Sequence, residues 1–137
     1  MVNKLIIQKR LRKLSEYVKL LKLLQKEKKE KFINDPFVYG NVERYLQLAI
    51  QSVIDISNHI LSEHNINGIS DYRDVIEKMG QEKFLPLEFA KHIAPMAGLR
   101  NILVHEYIEV EREKLYEILE NYINDFNEFG KYITKML

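Results

Sequence analysis

Apolar side chains recur every three or four residues along nearly the whole chain, and this periodicity constrains the fold more than any other feature. Such spacing places the apolar residues on one face of an α-helix. The most regular stripe lies near the end of the chain, at Leu115, Ile118, Leu119, Tyr122, Ile123, Phe126, Phe129, Ile133 and Met136. Val, Ile and Thr form no alternating run of the kind that a strand shows. The sequence therefore predicts an all-α fold.

Breaks in this pattern divide the chain into about five helices. The first two are long and are predicted over residues 3–31 and 36–64. Asp35 has the side chain of a helix N-cap, and Pro36 suits the first position of the helix that follows. A chain of 137 residues corresponds to one domain. We therefore expect a single antiparallel helical bundle that spans residues 1–137.

Glycine and proline mark the remaining helix boundaries. A short helix over residues 72–79 is expected to stop at Gly80. Pro86 opens the fourth helix. Pro95 interrupts that helix, and because proline lacks a backbone N–H and clashes with the preceding turn, it predicts a kink. The fifth helix is predicted over residues 111–136.

Composition excludes several classes of protein. The chain has no cysteine, so disulfides, thiolate metal sites and cysteine nucleophiles are excluded. No stretch approaches the roughly 20 consecutive apolar residues that a membrane helix needs. The N-terminus also lacks the apolar core and cleavage site of a signal peptide. We therefore expect a cytoplasmic protein that does not bind membranes.

Charge is distributed unevenly, although the net charge is only +1. Residues 1–31 contain eleven lysines and arginines against three acidic residues, whereas the rest of the chain is net negative. The nearly neutral total argues against a dedicated binder of duplex DNA. The basic segment can either follow a phosphate backbone or form the solvated face of a helix, and the sequence leaves both interpretations open.

Most catalytic and metal-binding patterns are missing from the sequence. It has no glycine-rich phosphate loop, no G-x-S-x-G and no H-E-x-x-H. His59 and His64 would point about 140° apart on a helix, which is poor geometry for one metal ion. Asp55 can pair with His59, although an exposed polar face is the simpler interpretation. His92 has no evident partner and is predicted to lie at the surface. We expect neither a metal nor a cofactor.

One segment, residues 99–107, gathers polar groups with catalytic potential. Relative to Arg100, the helical angle is about 100° for Asn101, about 140° for His105 and about −20° for Tyr107. The four side chains are therefore predicted to lie on one side of the fourth helix. Asn101 lies one turn before His105, where its amide can orient the imidazole.

These groups suit the cleavage of a phosphodiester. The planar guanidinium of Arg100 can pair with two phosphate oxygens and neutralise charge that builds on phosphorus. The imidazole of His105 can accept and donate a proton near neutral pH. RNA supplies its own nucleophile, the 2′-hydroxyl, so no metal is required.

A purely structural interpretation of the same segment also stays open. In that interpretation Arg100 forms a cap or salt bridge, His105 is a satisfied buried histidine and Tyr107 packs. Ile102 and Leu103 are predicted to face away from the polar side, toward a core.

Residues 100–107 read R-N-I-L-V-H-E-Y, which resembles the R-x4-H-x-Y motif of the HepT toxin family of HEPN-fold ribonucleases. The likeness extends over nearly the whole chain. The length, the long paired helices and the Leu85-Pro86-Leu87-Glu88-Phe89-Ala90 segment that leads into the motif helix are all similar. The resemblance implies a HEPN-type bundle.

The resemblance also implies an assembly and an activity. It implies a homodimer with both motifs facing a shared cleft, acting as a metal-independent endoribonuclease. It further implies a partner, a minimal nucleotidyltransferase antitoxin that silences the toxin by transferring AMP to the motif tyrosine, here Tyr107. A dimer also suits the chemistry, because cleavage needs a base and an acid on opposite sides of phosphorus and one chain offers one suitable histidine.

Two hypotheses about function, and a weaker third, follow from the sequence. The first is an endoribonuclease toxin in which His105 is the general acid and base and Arg100 stabilises the transition state. Asn101 would orient His105 or contact phosphate. The second is a non-catalytic subunit that binds a nucleotide or docks a nucleotidyltransferase. The third is a structural helical bundle.

Overall fold

The structure, a computed structural model, describes residues 3–105 and 110–137. All regular structure in these ranges is helical, which confirms the all-α prediction. Seven helices occur in the described ranges: α1 (Lys4–Gln25), α2 (Lys29–Asn34), α3 (Pro36–Glu63), α4 (Tyr72–Gln81), α5 (Leu87–Ile93), α6 (Met96–Val104) and α7 (Arg112–Met136). Two of the five predicted helices are each divided in two, which accounts for the different number.

The first predicted helix ends at Gln25 rather than at residue 31. Its apolar stripe would next require residue 28, where the sequence has a lysine, so no apolar side chain holds a further turn against the core. The chain turns instead and forms α2, in which Phe32 is fully buried. The Phe32 ring meets the ring of Tyr116 edge to face, with 5.2 Å between centroids. The short helix is thereby held against the start of α7.

Pro95 divides the fourth predicted helix completely, so the expected kink is a break between α5 and α6. Proline has no backbone N–H to donate, and α5 closes one residue earlier, where the N–H of Ala94 donates to the carbonyl oxygen of Ala90 at 3.0 Å. Met96 and Ala97 are buried at the start of α6. The new helix therefore begins in the core and its later turns reach the surface.

The bundle is organised around α1 and α3, which pack antiparallel. Two contacts define their direction, since Arg10 pairs with Asp55 whereas Tyr17, further along α1, stacks on Tyr45, earlier in α3. The buried faces of both helices are apolar, as the sequence predicts: Ile7, Leu14, Val18 and Leu21 in α1, and Leu46, Ile50, Val53 and Ile60 among others in α3.

The last helix, α7, begins beside the beginning of α3. The N-cap predicted for α3 is confirmed, because the Asp35 carboxylate accepts a hydrogen bond from the backbone N–H of Phe37 at 2.9 Å. The Arg112 guanidinium lies over the Tyr39 ring, 3.6 Å from its centroid, and donates to the carbonyl oxygen of Ile33 at 3.5 Å. These contacts hold the first residue of α7 against α2 and α3.

Gly80 does not stop α4 as predicted; the helix continues through it to Gln81. The glycine is buried where α5 crosses α4, and a Cβ atom added to it would lie 2.6 Å from the Cβ of Ala90. Its role is therefore close packing of two helices. The chain leaves α4 at Lys83, which adopts a positive φ of 66°.

Candidate active site

Arg100 is half-buried on α6 and is held by residues of two other helices. Its Nε donates a hydrogen bond to Oε1 of Gln51, on α3, at 2.8 Å. Its Nη1 donates to Oδ1 of Asn101 at 3.2 Å. Its Cζ lies 4.9 Å from the ring centroid of Tyr72, the first residue of α4. The guanidinium is therefore oriented, and within the described chain its Nη2 has no hydrogen bond.

Gln51 is itself held in one orientation by a second contact. Its Nε2 donates to Oδ1 of Asp55 at 2.8 Å, one helical turn along α3. The other oxygen of Asp55 lies 3.3 Å from Nη1 of Arg10, on α1. The Gln51 amide therefore accepts a hydrogen bond from Arg100 and donates one to Asp55, which in turn pairs with Arg10. A polar chain thus connects the motif arginine to the basic first helix.

The pairing of Asp55 with His59, which their spacing allowed, is not the contact that Asp55 makes. Its two oxygens are engaged by Gln51 and Arg10 instead. Nε2 of His59 is buried and has no hydrogen-bond partner among the described residues.

Gln51, Tyr72 and Arg10 are absent from the residues that sequence reasoning selected for the site. Gln51 lies 49 positions from Arg100, and no local spacing connects the two. The signal that was available is the Gln51–Asp55 spacing of four residues, which places an amide and a carboxylate on one helical face.

His105 is exposed and forms the C-cap of α6. Its backbone is extended, with φ −87° and ψ 107°, and its N–H donates to the carbonyl oxygen of Ile102 at 3.2 Å. The imidazole is therefore accessible to solvent, whereas the alternative interpretation placed it in the core. Arg100 and Asn101 lie in the second half of α6, and His105 follows directly as its C-cap instead of continuing the helix as predicted.

Part of the predicted arrangement of this segment differs. The helix ends at Val104, so the helical angle inferred for Tyr107 does not apply, and Tyr107 itself lies outside the described residues. The contact shown for the Asn101 side chain is with Arg100, from which its Oδ1 accepts a hydrogen bond. Leu103 packs against the core as predicted, but Ile102 is 39% exposed and does not face it. Because α6 is short and lies at the surface, it buries a narrower face than a full bundle helix.

His92 lies at the surface as predicted, but it has a partner. Its Nε2 lies 3.1 Å from both carboxylate oxygens of Asp125, on α7. The Asp125 side chain is only 13% exposed. Burial raises the pKa of Asp125, and the adjacent His92 lowers it in part.

Residues 3–105 and 110–137 contain no cluster of metal ligands: no three histidine, aspartate or glutamate side chains in these ranges converge as a metal ion would require. None of the helices in the same ranges is both long and apolar enough to cross a membrane.

Comparison with known proteins identifies close similarity to one group of nucleases. A curated protein from Aphanizomenon flos-aquae, the tRNA nuclease HepT, is 29% identical over 99% of this chain and 92% of its own length. The mRNA nuclease HepT of Shewanella oneidensis is 28% identical over 72% of this chain and 74% of its own length.

Solved structures share the fold. A tri-AMPylated HEPN toxin of Shewanella oneidensis, in complex with an MNT antitoxin, superposes with a TM-score of 0.87 at 24% identity, covering 98% of this chain and 99% of the toxin. A toxin–antitoxin complex with AMP-PNP superposes with a TM-score of 0.87 at 23% identity, covering 95% and 98%. The HEPN-type bundle predicted from the sequence is confirmed.

The family model described as "Ribonuclease HepT-like" matches residues 7–133. This match spans nearly all of the chain and includes both the Arg100–Gln51 contact and the motif helix. The chain therefore belongs to the HepT-like ribonuclease family.

Proposed function

We propose that the chain is an endoribonuclease toxin that cleaves RNA without a metal ion, with His105 as the general acid and base and Arg100 as the group that stabilises the transition state. The observation that carries this proposal is the oriented Arg100 guanidinium, held by Gln51 at 2.8 Å, on the same short helix as the exposed His105. Related nucleases are named for RNA cleavage, of tRNA in one case and mRNA in another. RNA in the cytoplasm is the substrate we infer.

The proposed reaction is transesterification followed by release. A base removes the proton of a 2′-hydroxyl, and the resulting oxygen forms a bond to the adjacent phosphorus. The bond between phosphorus and the 5′-oxygen breaks, and an acid protonates that leaving oxygen. The products are a 2′,3′-cyclic phosphate, which water can open to a 3′-phosphate, and a 5′-hydroxyl. Arg100 neutralises the charge that accumulates on the phosphoryl oxygens.

We further propose a homodimer, because the base and the acid must act on opposite sides of phosphorus. Two copies of His105 around a shared cleft supply both groups, with two copies of Arg100 between them. Exposed apolar side chains within the motif segment support this arrangement. Ile102 is 39% exposed and Val104 38% exposed in the single chain, and a second copy would cover such a surface.

The partner that we propose is a minimal nucleotidyltransferase antitoxin that transfers AMP to Tyr107. Support comes from the relative that was solved as a tri-AMPylated toxin with an MNT antitoxin. A phosphodiester on the motif tyrosine would add a negative charge and a bulky adenosine to the motif segment, seven residues after Arg100 in the chain. Arg100 would then be paired and RNA excluded from the cleft.

The nuclease assignment is tested by RNA cleavage with purified variants in EDTA. His105→Ala is expected to abolish cleavage and Arg100→Ala to lower its rate by at least about a hundredfold. His92→Gln, which keeps a donor toward Asp125, serves as the matched control and retains cleavage. Cleavage by His105→Ala at the wild-type rate would contradict the role of His105. A strict requirement for Mg²⁺ would contradict the metal-independent reaction.

The modification is tested separately by intact mass after co-expression with the neighbouring nucleotidyltransferase. The wild-type chain is expected to gain the mass of AMP, and Tyr107→Phe is expected not to. An addition that survives Tyr107→Phe would assign the modification to another residue.

The second candidate function is a non-catalytic docking subunit, and it is favoured by the solved relatives that occur in complexes with an antitoxin. Expression of this chain alone in cells distinguishes the two functions. Growth arrest that disappears with Arg100→Ala supports the nuclease. Harmless expression of the unmodified chain supports the docking subunit.

A further inference from the structure

A groove of about 270 Å³ lies between α1 and α3, on the side of α3 that also carries Gln51. Lys9, Arg10, Lys13 and Tyr17 line it from α1, and Gln51 and Asp55 are among the residues that line it from α3. These residues define the α1–α3 groove. The spacing of the four α1 residues places them on one helical face, directed at the neighbouring helix.

The α1–α3 groove has an excess of positive charge. Asp55 is the one carboxylate among its lining residues, and it is already engaged by Arg10 and Gln51. Lys9 is exposed, and Lys13 forms only an exposed ion pair with Glu16 at 3.5 Å. Exposed pairs of this kind contribute little and exchange readily. Both lysines are therefore available to an anionic ligand.

Two further groups in the groove suit a nucleic acid. The Arg10 side chain is 43% exposed, so its guanidinium can meet a phosphate while it pairs with Asp55. Tyr17 is half-buried and stacks on Tyr45, with 6.2 Å between ring centroids. Grooves that hold single-stranded RNA combine cations along the backbone with aromatic rings on which bases stack.

The groove is continuous with the proposed catalytic site through one side chain. Gln51 lines the groove and also accepts the hydrogen bond from Arg100 at 2.8 Å. The basic residues of α1 are therefore connected to Arg100 through Gln51 and Asp55.

We propose that the α1–α3 groove binds the single-stranded RNA backbone beyond the cleaved phosphate, through Lys9, Lys13 and Arg10. This proposal rests on the proposed ribonuclease function and adds to it a binding site outside the motif. The basic α1 then holds the substrate strand in the register that presents one phosphodiester to Arg100 and His105.

Binding is measured by fluorescence anisotropy in the His105→Ala background, which prevents cleavage. The probe is a labelled single-stranded RNA of about 12 nucleotides, within the roughly 4–16 nucleotides that single-strand grooves cover. The groove variant is Lys9→Ala/Lys13→Ala. The control is Lys22→Ala/Lys26→Ala, which removes the same charge from positions of α1 and its C-cap that face α7.

The groove variant is expected to bind RNA roughly fivefold or more weakly than the control. Its slope of log affinity against log salt should fall by about 1.4, because each phosphate contact to a single strand contributes about 0.7. The control should keep nearly the parental affinity and slope. Circular dichroism and thermal melting of both variants exclude unfolding as the cause.

Equal RNA affinity of the two lysine variants, or no RNA binding by the parent, overturns the proposal. Equal affinity together with loss of the co-purified nucleotidyltransferase in the groove variant would assign the surface to a protein partner. These results are separable from the nuclease test. If the wild-type chain cleaves RNA but the two lysine variants bind RNA equally well, only the groove proposal is rejected. If the groove variant binds RNA more weakly but the wild-type chain cleaves no RNA, the groove proposal is supported and the nuclease proposal is contradicted.

Discussion

Gln51 accepts a hydrogen bond from the Arg100 guanidinium at 2.8 Å, although 49 positions separate the two residues. The same amide donates to Asp55, so its two ends cannot exchange without breaking both contacts. Gln51 is therefore a positioning residue: it holds the cation that the motif contributes, and it does so from the central helix of the bundle.

Gln51→Ala is expected to lower the kcat of RNA cleavage roughly ten- to a hundredfold, because a displaced catalytic group loses the oriented geometry on which the rate depends. KM should change little, since the positive charge remains. Steady-state cleavage kinetics measure both constants.

Asn58→Ala is the matched control for this prediction, because it removes an exposed amide from the same helix. In the Arg100→Ala background, Gln51→Ala should cause no further loss. Additive losses in the double variant would show that Gln51 acts independently of Arg100.

Tyr72→Leu is expected to lower kcat roughly two- to fivefold, because it removes the aromatic face that lies 4.9 Å from Arg100. Tyr72→Phe keeps the ring and should restore the wild-type rate. Equal losses in Leu and Phe variants would assign the effect to the phenol hydroxyl instead of the ring.

Gly80→Ala is expected to lower the free energy of unfolding by about 1–3 kcal/mol, because its Cβ would lie 2.6 Å from the Cβ of Ala90, which cannot rotate away. Urea denaturation measures the change. A Cβ added to Gly130, in α7, would meet no atom within 4 Å outside its own stretch of helix, so Gly130→Ala should instead stabilise by about 0.5–1 kcal/mol. A neutral or stabilising Gly80→Ala would contradict the close packing of α4 and α5.

Asp125 should make stability depend on pH in a defined direction. Burial raises the pKa of this carboxyl in the folded chain above its ordinary value of 3.8, despite the opposing effect of His92. The folded state then keeps the proton to higher pH than the unfolded state does. This contribution to the free energy of unfolding is therefore greatest below pH 3.8 and declines as pH rises through the raised pKa.

Asp125→Asn removes that titration. Denaturation at a series of pH values should show that the variant loses less stability than the wild type as pH rises from the ordinary pKa of 3.8 to neutrality. If the free energies of unfolding of the two proteins change in parallel with pH, the pKa of Asp125 is not raised in the folded chain.

Helix positions were largely predictable from the sequence because burial dictates them locally. The stripes of α1, α3 and α7 and the Asp35 cap follow from spacing that a single helix reveals. Where helices end was less predictable. The end of α1 depends on burying Phe32 against Tyr116, which is a contact between distant parts of the chain.

The supports of the site were not predictable, because they depend on how helices cross. Nothing within α6 indicates that Arg100 meets Gln51, and the continuation of α4 through Gly80 depends on the approach of Ala90 from α5. Local spacing allowed His59 as a partner of Asp55, whereas packing of α1 against α3 supplied Arg10. Sequence reasoning thus located the motif and missed the residues that orient it.

The chemistry of the RNA ends tests the central claim most directly. Fragments made in EDTA by the wild-type chain, and missing with His105→Ala, are expected to carry 5′-hydroxyl and 2′,3′-cyclic phosphate or 3′-phosphate ends. These ends are diagnostic of attack by the 2′-hydroxyl, and mass spectrometry of the fragments identifies them. Fragments with 5′-phosphate and 3′-hydroxyl ends would show that water is the nucleophile, and would contradict the roles assigned to Arg100 and His105.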